Sequence, residues 1–218
     1  MFVGHYGVAF GAKPLTPLVP LWMYFIAVQW LDVVWSILVL LGIEKLHIVP
    51  GFTQANPYDL YYMPYTHGLP GAVVLSLLLG AIVSAAVARQ RGLAFLAVSA
   101  AAFSHWIFDL IVHVPDLPLY DNTDKVGFGL WRHVALSFPL ELIVLVIGTW
   151  YYARALPPGG RRGHIALRGF VVVLVLLQVY GNFGPPPSSE TAMAITALVL
   201  YIALAALAAG LERVRALP

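Results

Sequence analysis

The sequence predicts an all-α, polytopic membrane helix bundle: about six transmembrane helices plus a short N-terminal helix or re-entrant segment. Residues 1–218 form a single integral-membrane domain in this reading. Three observations carry it. The chain is 61% hydrophobic and 10% charged, where a soluble domain has roughly a quarter of its residues charged. Apolar runs long enough for a helix to cross the hydrocarbon core recur along the chain. Lys and Arg divide unevenly between the connecting segments, as the positive-inside rule requires.

Taken in order, residues 1–12 lack the basic start of a signal peptide, and glycines break their apolar run. They read as a retained short helix or re-entrant segment carrying His5. The spans follow at about 18–42, 69–88, 93–114, 134–156, 167–183 and 192–211. Pro115 closes the third, Pro157-Pro158-Gly159-Gly160 separates the fourth from the fifth, and Gly184-Pro185-Pro186-Pro187 ends the fifth. The fifth run is the shortest and needs neighbouring residues to reach full length. The last is rich in alanine, and its small residues could pack against a helix of a membrane-protein partner.

With both termini cytoplasmic, nine basic residues fall inside: Lys13, Arg89, Arg91, Arg154, Arg161, Arg162, Arg168, Arg213 and Arg215. Lys45, Lys125 and Arg132 fall outside. The two long loops, 43–68 and 115–133, then lie outside, which in a bacterial inner membrane is the periplasmic side. Membrane lipids are the expected surroundings. A net charge of +2 gives no reason to expect nucleic acid.

The chemistry-bearing residues stand out against this apolar background. His105, Asp109 and His113 are spaced by four in the third span, and each such step advances about 40° around a helix, so they form one stripe. Asp32 lies near the centre of the first span, and Glu141 shares a second stripe with His133 and Ser137 in the fourth. His67 enters the second span from the outer loop. Ionisable groups at these depths must face each other, a metal or a water-filled cavity. A single buried acid needs one partner, whereas several acids and histidines together suit a divalent cation. The chain has no cysteine, so the donors are imidazole and carboxylate, a set suited to zinc first, or to iron or manganese. The acidic loop 114–125 reads as a solvated, turn-rich cap.

Gly4-His5, Leu31-Asp32, Thr66-His67 and Ser104-His105-Trp106-Ile107-Phe108-Asp109 occur in the order of a known pattern. Over residues 1–114 the chain resembles the bacterial membrane-bound metal-dependent hydrolases, predicted hydrolases typified by a small SOS-regulated inner-membrane protein. The resemblance implies a metal held by His67, His105 and Asp109, with His5 and Asp32 contributing. The family has a further acid and a histidine around Asp32, and a His-Arg pair before the Thr-His. This chain has Leu31-Asp32-Val33-Val34-Trp35 and Tyr61-Tyr62-Met63-Pro64 there. Either His113 or His133 substitutes for the missing ligands, or the site holds no catalytic metal.

The leading expectation is a metal-dependent hydrolase of a membrane-associated ester or phosphoester, with Asp32 or Glu141 as general base. A non-catalytic accessory subunit of a larger membrane complex is the alternative. A proton or cation transporter is a third, disfavoured by the lack of an inverted repeat.

Overall fold

The computed structural model describes residues 1–216. Helix α1 (Val3–Ala12) leads through a 3-10 turn at Lys13–Leu15 to α2 (Leu21–Val28) and α3 (Trp30–Leu40). A hairpin of β1 (Lys45–Ile48) and β2 (Tyr58–Tyr62) precedes α4 (Leu69–Ala86) and α5 (Arg91–Val112). A second hairpin, β3 (Leu117–Tyr120) with β4 (Thr123–Val126), is followed by α6 (Val134–Ala155), α7 (Arg161–Phe183) and α8 (Glu190–Ala216). Both hairpins are antiparallel, with Lys45 opposite Tyr62 and Leu117 opposite Val126.

The five helices α4 to α8 are long and apolar enough to cross a membrane, and α2 with α3 makes a sixth crossing if the bent pair is one span. Their outward faces are apolar. Val73, Val74, Leu77, Leu78 and Ile82 of α4 are 38–65% exposed, a contiguous surface of the kind that water does not favour. Residues 161–166 extend the short fifth run, so α7 reaches 23 residues.

Three features differ from the sequence reading. The two long loops each fold into a hairpin, so the bundle is not purely helical. The first apolar run is not one helix, because it breaks at Gln29 with a bend of 56°. The break frees the Val28 carbonyl, which accepts the Nδ1–H of His105 at 2.7 Å. Met1, expected at the inner face, is instead buried within the bundle.

Its burial follows from α1, which lies inside the bundle rather than on it. Val3, Gly4, His5, Tyr6, Gly7, Ala9 and Phe10 are all buried. Glycines allow this. A Cβ at Gly7 would sit 2.3 Å from the Val144 carbonyl oxygen, and one at Gly148 would sit 1.8 Å from that of Gly7. Helices α1 and α6 therefore touch backbone to backbone. At the far end of α1, Lys13 pairs with Glu212 and donates to the carbonyls of Pro17 and Val19 at 2.8 and 2.9 Å. Glu212 also accepts the Leu21 N–H at 2.9 Å, which ties the start of α2 to the end of α8.

Helix α8 lies against α2, α3 and α7. Ala194, Ala197, Ala205 and Ala208 are buried in those contacts, while Ala203, Ala206 and Gly210 remain on the outer face.

Candidate metal centre

The predicted stripe of α5 turns inward. His105 and Asp109 are buried on the helix, and His113 is its buried C-terminal cap. Three other elements bring donors to it. Asp32 sits in the first turn of α3, His67 just ahead of α4, and His5 in α1. Around Asp109 Oδ2, the Nε2 atoms of His105, His113 and His67 lie at 3.0, 3.5 and 3.8 Å. Asp32 Oδ1 is 3.4 Å from His67 Nε2 and 3.5 Å from His105 Nε2. His5 stacks on His105, ring centroids 4.0 Å apart, with its Nε2 3.3 Å from Asp109 Oδ1. The Met1 amino group contacts the same oxygen.

What lies behind each histidine decides which ring nitrogen faces the centre. His105 Nδ1–H donates to the Val28 carbonyl, which accepts only, so Nε2 is the nitrogen left to face the centre. His113 Nδ1 bonds to the carboxylate of Asp116 at 2.8 Å, with the same consequence. At His67 the argument takes one more step. The Thr66 hydroxyl donates to Glu44 Oε2 at 2.6 Å, so it accepts from His67 Nδ1 at 2.8 Å. Glu44 is fixed in turn by the N–H groups of Tyr65 and Thr66 at 2.8 and 3.0 Å. The Trp106 indole donates to the His67 carbonyl at 2.8 Å. Three imidazoles thus commit Nδ1 outward and turn Nε2 toward two carboxylates, where loss of the Nε2 proton would free a lone pair for an ion. Metal-binding histidines are held this way, by an outer oxygen that takes the other ring N–H.

The donor set fits a divalent ion. Among the described residues, His5, His105 and Asp109 form one group whose donor atoms lie within 4.8 Å of each other, and Asp32, His67 and His105 form another. Both ring nitrogens of His5 and Nε2 of His105 are buried without a hydrogen-bond partner among the described residues. Buried polar atoms are rarely left so, and a bound ion would account for His105 Nε2 and for one of the two nitrogens of His5.

The two acids expected as bases occupy different settings. Asp32 Oδ2 accepts the Tyr201 hydroxyl at 2.9 Å while its Oδ1 faces the histidines, which puts it among the candidate donors. Glu141 Oε2 accepts the N–H groups of Phe2 and Gly4 at 2.7 and 3.3 Å and so caps the start of α1. Both residues line a cavity of about 710 Å³. His67, Asp109 and His113 line it, and α7 and α8 contribute apolar Leu177, Met193, Ala197 and Leu200 beside polar Gln178, Asn182 and Tyr201. Tyr58 of β2 lines it too, and burial raises its phenol above the ordinary value, keeping it a neutral donor.

All seven sequence-predicted residues, His5, Asp32, His67, His105, Asp109, His113 and Glu141, therefore gather at one place. His133 does not join them and is exposed at the start of α6. The sequence reading missed Glu44, Asp116 and Tyr201. Asp116 was grouped with a solvated loop, yet it is 6% exposed, whereas Asp121 and Asp124 of that loop are exposed. His113-x-x-Asp116 is the one local signal that could have found it. Nothing local marks Glu44 or Tyr201. No protein-family model, curated protein or solved structure matches this chain.

Proposed function

We propose that the chain is an integral membrane, metal-dependent hydrolase of a membrane-associated ester or phosphoester. The observation that carries this reading is the commitment of three Nδ1–H groups to outer oxygens, which leaves three Nε2 atoms facing Asp109 and Asp32 as the nitrogens an ion would take. Zinc suits the nitrogen and oxygen donors best, with iron or manganese as alternatives. A divalent ion supplies Lewis acidity and makes water nucleophilic near neutral pH.

The chain's own residues do the rest. His67, His105, His113, Asp32 and Asp109 would hold the ion, with His5 beside His105 as a further donor. Glu141 lines the same cavity and is the acid left to act as base. In hydrolysis the water oxygen bonds to the carbonyl carbon or phosphorus and the bond to the leaving alcohol oxygen breaks. One water proton passes to Glu141 and on to the alcohol, the role of a general base turned general acid. The apolar residues that α7 and α8 contribute to the cavity suit a lipid-like substrate, whose chain lies along those helices while its ester reaches the centre.

The basic residues support an orientation with the hairpin end at the periplasmic face of a bacterial inner membrane. Lys13, Arg213 and Arg215 share the other end of the bundle with Glu212. His105→Ala and Asp109→Ala should each remove stoichiometric metal from protein purified without chelator. Full retention of metal in both variants would overturn the assignment.

A further inference from the structure

We infer that the centre holds two metal ions rather than one, with the carboxylate of Asp109 between them. The inference rests on the metal reading above and concerns how the donors divide. Six side chains converge, whereas a zinc ion takes four ligands and a catalytic one only three from the protein. The two groups of three donors share His105. Since its Nδ1 is bonded to the Val28 carbonyl, His105 offers one lone pair and can serve only one ion.

Asp109 faces different donors through its two oxygens. Oδ1 faces the Met1 amino group and His5, while Oδ2 faces His105, His113 and His67, so an ion on the Oδ1 side would take the place of that amino group. A carboxylate addressed from both sides is placed as a bridging ligand. If His105 serves the group with His5 and Asp109, Asp32 and His67 remain for the other ion, with His113 completing it from its place on Asp109 Oδ2. His5 gives the second, independent observation. Its ring is fully buried, and neither nitrogen has a hydrogen-bond partner among the described residues.

Charge points the same way. The carboxylates of Asp32, Glu44, Asp109, Asp116 and Glu141 all belong to the centre or to the groups that hold it. Among the described residues, those lining the cavity include no Lys or Arg. With the histidines neutral, as ligation requires, and the Met1 amino group counted, one dication leaves two of these five negative charges unmatched and a second matches them. Uncompensated charge at such depth is costly. Paired ions also suit a phosphoester, because positive charge is then available to both the attacking and leaving oxygens.

The test is metal stoichiometry combined with a spectroscopic signature. Full-length protein in detergent, loaded with zinc and desalted, should carry two equivalents by elemental analysis. His5→Ala should retain about one, and Asp109→Ala should lose both. Manganese-loaded wild type should give the electron paramagnetic resonance spectrum of an exchange-coupled pair, and this reading needs no variant to fold. One equivalent with an isolated-ion spectrum overturns the paired centre and leaves the hydrolase reading standing. No bound metal overturns both.

Discussion

Asp116 lies three residues beyond His113 and accepts its Nδ1–H, and both side chains are buried. That bond orients the imidazole and raises its basicity as a ligand, the role carboxylates play behind histidine in metal sites. Asp116→Ala should weaken metal binding by about 10–100-fold, the usual cost of losing such a partner. Asp116→Asn, which keeps an acceptor but not the charge, should fall between. Competition against a chelator of known affinity reads both, and His133→Ala is the control that should change nothing. Equal affinity in wild type and Asp116→Ala would mean that His113 is not a ligand.

Helix α1 brings His5 into the centre only because its backbone meets that of α6. The contact depends on Gly7 and Gly148, where any Cβ would occupy the partner's backbone. Gly148→Val should therefore destabilise the bundle by about 1–3 kcal/mol, the usual range for overpacking, and should lower metal content by moving α1. Thermal unfolding in detergent, with elemental analysis of the same sample, checks both effects. Gly169 of α7 has open space around its Cβ position, so Gly169→Ala should leave the centre intact. The break at Gln29 works in the same direction as these glycines. It turns the Val28 carbonyl to His105 and sets Asp32 in the first turn of α3, where a carboxylate is favoured by the helix dipole.

For the whole molecule, the apolar outer faces and the division of basic residues bear on one arrangement in the membrane. The chain has no cysteine, so single introduced thiols report sidedness without background. Phe128 is 76% exposed beside the second hairpin, and Arg162 is exposed at the start of α7 on the opposite end. In spheroplasts, a membrane-impermeant maleimide should label Phe128→Cys at once. It should label Arg162→Cys only after permeabilisation. The reverse pattern would turn the bundle over and put the cavity on the cytoplasmic side.

The sequence by itself determined the place of the five long apolar helices α4 to α8, and the stripe of His105, Asp109 and His113. Both are consequences of helix length and periodicity, which are local properties. It also named His5, Asp32, His67 and Glu141 as polar groups that an apolar setting must satisfy. Tertiary structure decided how they are satisfied. Only packing shows that α1 is drawn inside, that the first span bends at Gln29, and that Glu44 reaches Thr66 across 22 residues and Tyr201 reaches Asp32 across 169. A hydrogen bond between residues so far apart leaves no periodic trace in a single sequence. The candidate donors were therefore legible one by one, and the cluster they make was not.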